Sequence, residues 1–263
     1  MHKVLIFIHI PKCAGTTVKK ILRSEYSDHM YVVNSSEDFN NIGDTDRNNA
    51  QCLAGHISFG IHKRLPYRAD YITMLRNPVE RVVSNYYYVR KTPEHRLHKH
   101  VSKNSISLKK YVESEINESL DNQAVRHLVE GYKKVKKNGS SKRVLGRAKK
   151  NLSNHFGVAG IAERFDESVL LMKQHYGWKS VVYRKRNVTS ERPSREELPK
   201  ETISLIKEKN RLDLQLYRFV SEEIEERISE TELKSELHWH RIKCRVYDLI
   251  KEAYDTGKNT LHI

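Results

Sequence analysis

Lys12 follows a short apolar run, Val4–Ile10 (VLIFIHI), across Pro11, and Cys13, Ala14, Gly15, Thr16 and Thr17 come directly behind it. Val18, Ile21 and Leu22 then recur at helical spacing. The pattern reads as strand, tight loop and helix N-terminus, which aims backbone N–H groups and the positive helix end at an anion. Lys12 adds a mobile positive charge, Gly15 lets backbone approach a ligand, and the two threonines add hydroxyl donors. The order is inverted relative to the triphosphate-binding loop G-x-x-x-x-G-K-[ST], because here the Lys stands on the strand side. The bland alternative is an ordinary strand-to-helix connection that contains a Lys. Two more strand ends carry polar groups: His56 after Gln51–Ala54, and Arg76 after Asp70–Leu75 (DYITML). His56 supplies a base that titrates near neutrality.

Other elements must position these residues. Tyr31–Val33, Gly157–Ile161 (GVAGI) and Ser180–Tyr183 read as further strands, and Asn34–Asn49 as a polar loop. Asn77-Pro78 with Glu80 forms a box-like helix start, leading a helix through Val82, Val83, Tyr86 and Tyr87. The middle is helical, with Leu145, Ala148, Leu152 and Phe156 on one apolar stripe. The last third is helical too, ending in a Ser229–Ile263 segment with Leu233, Leu237, Ile242, Val246, Leu249, Ile250 and Ala253. Strands alternating with helices predict an α/β fold: a mostly parallel, P-loop-like sheet flanked by helices, with a helical C-terminal portion. In such sheets ligands bind outside the carboxyl ends of the strands, so Lys12, His56 and Arg76 are expected at one crevice. Two cations, a helix N-terminus and one base match a ligand with two separate anionic groups and a proton to remove.

The 263 residues suit one domain, 1–263, with 229–263 as an extension. No apolar run approaches the ~20 residues of a membrane span. The opening run is too short for a signal peptide and flows straight into the anion loop. Cys13, Cys52 and Cys244 are odd in number and far apart, so a reducing, cytoplasmic setting without membrane attachment is expected. The formal charge is +15, and nine Lys or Arg with no acid fall between Lys133 and Lys150. That excess favours an anionic partner, whether nucleotide, glycan, nucleic acid or lipid headgroup. His95, His98 and His100 sit among Lys and Arg and read as a solvated basic loop, so no metal is expected. His9 reads as a core residue.

Several segments together resemble the sulfotransferases that use 3′-phosphoadenosine-5′-phosphosulfate, especially heparan sulfate and uronyl 2-O-sulfotransferases and their bacterial relatives. They are HIPKCAGTT (His9–Thr17), AGHISFG (Ala54–Gly60), ITMLRNPVERVVSNYYYVR (Ile72–Arg90), LDNQAVRHLVEG (Leu120–Gly131) and GVAGIAERFDESVLLM (Gly157–Met172). Arg184–Leu198 and the helix NRLDLQLYRF also look like that family, and the likeness runs from Lys3 to about Ile228.

The resemblance implies that Lys12, Cys13, Ala14, Gly15, Thr16 and Thr17 hold the 5′-phosphosulfate, while Arg76 and Ser84 grip the 3′-phosphate. It implies that Arg184–Arg195 closes over the nucleotide and that His56 is the catalytic base. Relatives acting on heparan sulfate carry a second His two residues earlier, where this chain has Ala54. Arg126, in the D-N-x-x-x-R segment, is left between acceptor binding and an internal ion pair. The implied reaction is in-line transfer of a sulfuryl group to a hydroxyl of a saccharide or related acceptor. His56 would take the proton and Lys12 would stabilise the leaving phosphate, with no metal. The expected partners are an anionic nucleotide donor and a saccharide acceptor, without nucleic acid. The C-terminal stripe implies packing, on the chain itself or on a second subunit. Two other classes compete: a small P-loop nucleotide kinase, which needs the missing G-x-x-x-x-G-K-[ST], and a non-catalytic polyanion-binding protein.

Overall fold

The structure is a computed structural model that describes residues 3–137, 139–184, 193, 195–230 and 233–260. Its strands are β1 (Lys3–Ile8), β2 (Met30–Val32), β3 (Cys52–Gly55), β4 (Arg68–Leu75) and β5 (Phe156–Ile161). They form one sheet in the order β2-β3-β1-β4-β5, and every pairing is parallel. Phe7 of β1 pairs with Ala54 on one side and Ile72 on the other, which fixes the register at the sheet centre. The central strands are runs of buried apolar residues rather than alternating ones, as a parallel sheet covered on both faces requires.

The helix Gly15–Tyr26 (α1) returns the chain from β1 to edge strand β2. Its buried Val18, Ile21 and Leu22 join the main core around the sheet. The helix Pro78–Lys91 leads out of β4 and centres a second cluster of Val79, Val82, Val83, Tyr86, Tyr111, Val112 and Ile206. Burying each such side chain is worth roughly 1.5–3 kcal/mol. On the Pro78–Lys91 helix Arg81, 1% exposed, donates to Ser119 O and Asn210 Oδ1. Asp213 accepts from the backbone N–H groups of Ala124 and Val125 and so caps the short helix Gln123–Leu128.

Two local expectations are corrected. The Asn34–Asn49 stretch is not loop throughout but contains helices Ser36–Asn41 and Asp44–Asn49. Ser35 Oγ caps the first by accepting from Asp38 N at 3.0 Å, a local hydrogen bond that polar composition hides. Ser180–Tyr183 is not a strand. The Glu25 carboxylate takes the N–H groups of Lys179 and Ser180, and Arg227 donates to Gly157 O on β5. The C-terminal stripe, expected to pack on the chain itself or on a second subunit, divides between core and surface. In the final helix, Leu233–Thr260, Leu233 is buried while Ile242, Val246, Leu249 and Ile250 are exposed.

Candidate active site

The strand β1 ends in a loop whose backbone is bent twice into the left-handed region, with φ of 67° at Lys12 and 58° at Ala14. For residues with a Cβ this costs on the order of 1–3 kcal/mol each and persists only where the surroundings over-determine it. Alternating backbone of this kind gathers successive N–H groups into a concave anion site. The helix α1 begins at once behind it, without a side-chain cap or an acidic residue in its first turn. The first turn of that helix therefore supplies no carboxylate of its own to its positive end.

Gly15 is required from below as well as above, because a Cβ there would run into the His9 ring. Cys13 departs from its expected role in ligand contact. Its thiol is 1% exposed, lies 3.7 Å from Pro11 O and is pushed up to about 12 by burial. The side chain packs into the core because the Lys12 and Ala14 turns rotate it inward, and it does not line the cleft.

A cleft of about 880 Å³ opens over this loop. Lys12, Ala14, Gly15, Thr16, Thr17, His56, Arg76 and Ser84 all line it. The carboxyl ends of β1, β3 and β4 thus deliver the expected groups to one place. Arg76 Nη1 donates to Lys12 O at 3.3 Å, and its Nη2 lies 3.8 Å from Glu80. Asn77 caps the Pro78–Lys91 helix by accepting from Val79 N. The expected return bond of the box is made by a different residue, since Asn77 N donates to Glu163 Oε1 and not to Glu80. Ser84 sits two turns into the same helix and faces the cleft.

His56 follows β3, with Nδ1 2.8 Å from His9 O. A carbonyl only accepts, so Nδ1 carries the proton and Nε2 keeps its lone pair. The two imidazoles stack with centroids 4.3 Å apart. Partial burial lowers the His56 pKa, the bond to His9 O opposes this, and the Lys19 charge lowers it further. His9 is both core and site: it is 7% exposed, lines the cleft, and burial together with the neighbouring His56 lowers its pKa to about 3. Its Nδ1 has no hydrogen-bond partner among the described residues. Ala54, where relatives acting on heparan sulfate carry a second His, is fully buried on β3 between β1 and β2.

Sequence reasoning missed Tyr88, whose ring centroid lies 4.0 Å from Lys12 Nζ. It stands one helical turn after Ser84, and that spacing was the available signal. Also missed were Glu163, Phe165 and Tyr183 on the opposite wall. Of the Arg184–Arg195 loop, residues 185–192 and 194 lie outside the described residues. Arg126 is not in this cleft. It pairs with Asp121 at 2.9 Å and Glu118 at 3.0 Å, on the wall of a separate cavity of about 960 Å³. His56 also borders a hollow of about 350 Å³ with Asn34, Ser58 and Arg64, and Ser58 borders the larger cavity in turn.

A parallel α/β sheet thus carries a curled loop at its centre and cations on two neighbouring strand ends, an arrangement suited to a phosphorylated ligand. The chain belongs to the sulfotransferase family, whose model matches residues 1–220. Among solved structures it is similar to mouse sulfotransferase SULT7A1 complexed with PAP, at 10% identity and a TM-score of 0.41. That likeness covers 80% of this chain and 65% of the other, so the chain spans less than two thirds of that structure's length. A comparison with curated proteins gives no match.

Proposed function

We propose that the chain is a sulfotransferase that moves a sulfuryl group from 3′-phosphoadenosine-5′-phosphosulfate to an acceptor hydroxyl. One observation carries the reading: the strained Pro11–Thr17 loop, Arg76, Ser84 and His56 line the same cleft. Its residues fit a nucleotide with phosphates at two ends. The loop amides, the α1 N-terminus and Lys12 form one anion site, while Arg76 and Ser84 on the β4 side form a second. Membership of the sulfotransferase family, matched over residues 1–220, agrees with the reading.

The chemistry follows from the groups. His56 Nε2 accepts the proton of the acceptor hydroxyl as its oxygen bonds to sulfur. The His9 carbonyl holds the ring in the tautomer this needs. The lowered pKa keeps the imidazole neutral and able to accept. Lys12 and the loop amides meet the charge that collects on the departing phosphate as the sulfur–oxygen bond breaks. Tyr88, beneath the Lys12 ammonium, limits where that charge can sit.

The acceptor enters from the side of the small hollow beside His56, with the large cavity beyond Ser58 holding the rest of an extended molecule. A saccharide with several hydroxyls, as in the 2-O-sulfotransferase branch, is the acceptor this path suits. The buried, unpaired Cys13, Cys52 and Cys244 support a reducing, cytoplasmic setting. The test is transfer of label from radiolabelled donor to a panel of oligosaccharides and small phenols, without magnesium. Label on an oligosaccharide supports the proposal. Transfer to phenols alone would leave the sulfuryl chemistry and remove the saccharide.

A further inference from the structure

The family model ends at residue 220, and the final helix, Leu233–Thr260, lies beyond it. Yet that helix reaches the donor cleft through a chain of contacts. Phe165 opens the helix Phe165–Tyr176, Tyr183 follows that helix, and both line the cleft with their rings 4.7 Å apart. The Tyr183 hydroxyl donates to Asp166 Oδ1 at 2.6 Å. Asp166, 8% exposed, is approached from the final helix by Arg241 Nε at 3.3 Å and His240 Nε2 at 3.6 Å. Arg241 also reaches Glu167 at 3.6 Å. The next residue on the cleft wall, Arg184, donates to Asp255 of the final helix at 2.6 Å. A third tie, Glu236 to Lys173 and Gln174, anchors the helix N-terminal half. Of these contacts from the final helix, none enters the cleft.

We propose that the Leu233–Thr260 helix is a positioning element for the nucleotide donor, holding Tyr183 and Arg184 in place on the cleft wall through Asp166 and Asp255. This rests on the donor reading of the cleft given above. Asp166 is the hub: its carboxylate is shared between a wall residue and two cations from outside the family's core. A hydroxyl held this way keeps the Tyr183 ring in one rotamer, so donor binding need not spend free energy ordering it. The Arg184–Asp255 pair is exposed and contributes less. The role is positional, since neither His240 nor Arg241 lines the cleft.

The test measures the dissociation constant of adenosine 3′,5′-bisphosphate by calorimetry, and donor KM, acceptor KM and kcat, on full-length chains. His240→Ala/Arg241→Ala is expected to weaken bisphosphate binding and raise donor KM by about tenfold, with acceptor KM and kcat unchanged. Tyr183→Phe is expected to do the same, and the triple variant to lose little more, because all three act through one carboxylate. Arg241→Lys on the wild-type background should lose at most about threefold, since a cation still faces Asp166. Arg227→Ala is the control: it strips the bond to Gly157 O and lowers thermal stability without moving the bisphosphate affinity. A double variant that binds like wild type, or whose loss adds fully to that of Tyr183→Phe, overturns the inference. An equal loss of affinity in Arg227→Ala overturns it too, by showing that general loosening suffices. A wild-type chain that does not bind the bisphosphate overturns the donor reading and this inference with it.

Discussion

Two regions of this molecule concentrate positive charge, and they differ in everything but sign. The Lys133–Lys150 tract carries nine cations, whereas the Pro11–Thr17 loop carries one. In the tract, Lys133 and Lys136 are exposed and already lean on Glu118 and Asp121, while the helix Ser141–His155 turns Val144, Leu145, Ala148 and Leu152 inward. Its charges point outward on long side chains, screened by water and by salt within about 10 Å. In the loop, one ammonium, a helix end and a curled backbone converge on a cleft backed by a close-packed sheet. The difference shows that organisation, more than charge count, makes an anion site. Net charge draws ligands near, and fixed dipoles hold them.

Substitutions can break that contrast. His56→Ala should give the largest effect, a fall in kcat of about 10²–10⁴-fold with bisphosphate affinity preserved. Lys12→Ala should come next, losing about 10²–10³-fold in kcat as the charge on the departing phosphate goes unmet. Both are read by label transfer at saturating donor, and retention of wild-type rate in either removes that residue from the mechanism.

Acidification should act through two histidines, His9 beside the loop and His127 on the helix Gln123–Leu128. Burial lowers the pKa of His9 to about 3 and of His127 to about 4, so the unfolded chain, with ordinary histidines near 6.5, binds more protons than the folded one. Stability is then fully present above pH 6.5 and is lost as pH falls below it. Each of the two contributes about 1.4 kcal/mol per pH unit, His127 down to about pH 4. Urea midpoints from pH 7 to pH 5 measure this, and His127→Gln should flatten the slope. Changing Lys133, Lys134, Lys136 and Lys137 together to Gln should have the smallest effect. Bisphosphate affinity should shift by no more than about twofold, with a shallower salt dependence.

Much of the fold was legible because its signals are local and additive. Apolar runs marked β1, β4 and β5, and Asn77-Pro78 marked a helix start. The shared crevice followed from strand-end logic, and Lys12, Arg76 and His56 do line one cleft. What stayed hidden depended on long-range partners. Cys13 turns inward because of backbone twists at its neighbours, which side-chain type does not reveal. Glu163 displaces Glu80 from the Asn77 cap across 86 positions of sequence. Ser180–Tyr183 has strand-like composition, but Glu25 takes its first amide and Asp166 its tyrosine. The dual role of His9 needed the Gly15 approach and the stacked His56 ring, neither of which periodicity reports.

The central claim is that one cleft grips a nucleotide at two phosphates, and calorimetric titration with adenosine 3′,5′-bisphosphate and with 5′-AMP tests it directly. The account predicts that the bisphosphate binds wild type at least about tenfold more tightly than 5′-AMP, and that Arg76→Ala erases the difference while leaving 5′-AMP affinity in place. Equal affinities in the wild type, or a preference that survives Arg76→Ala, would contradict it.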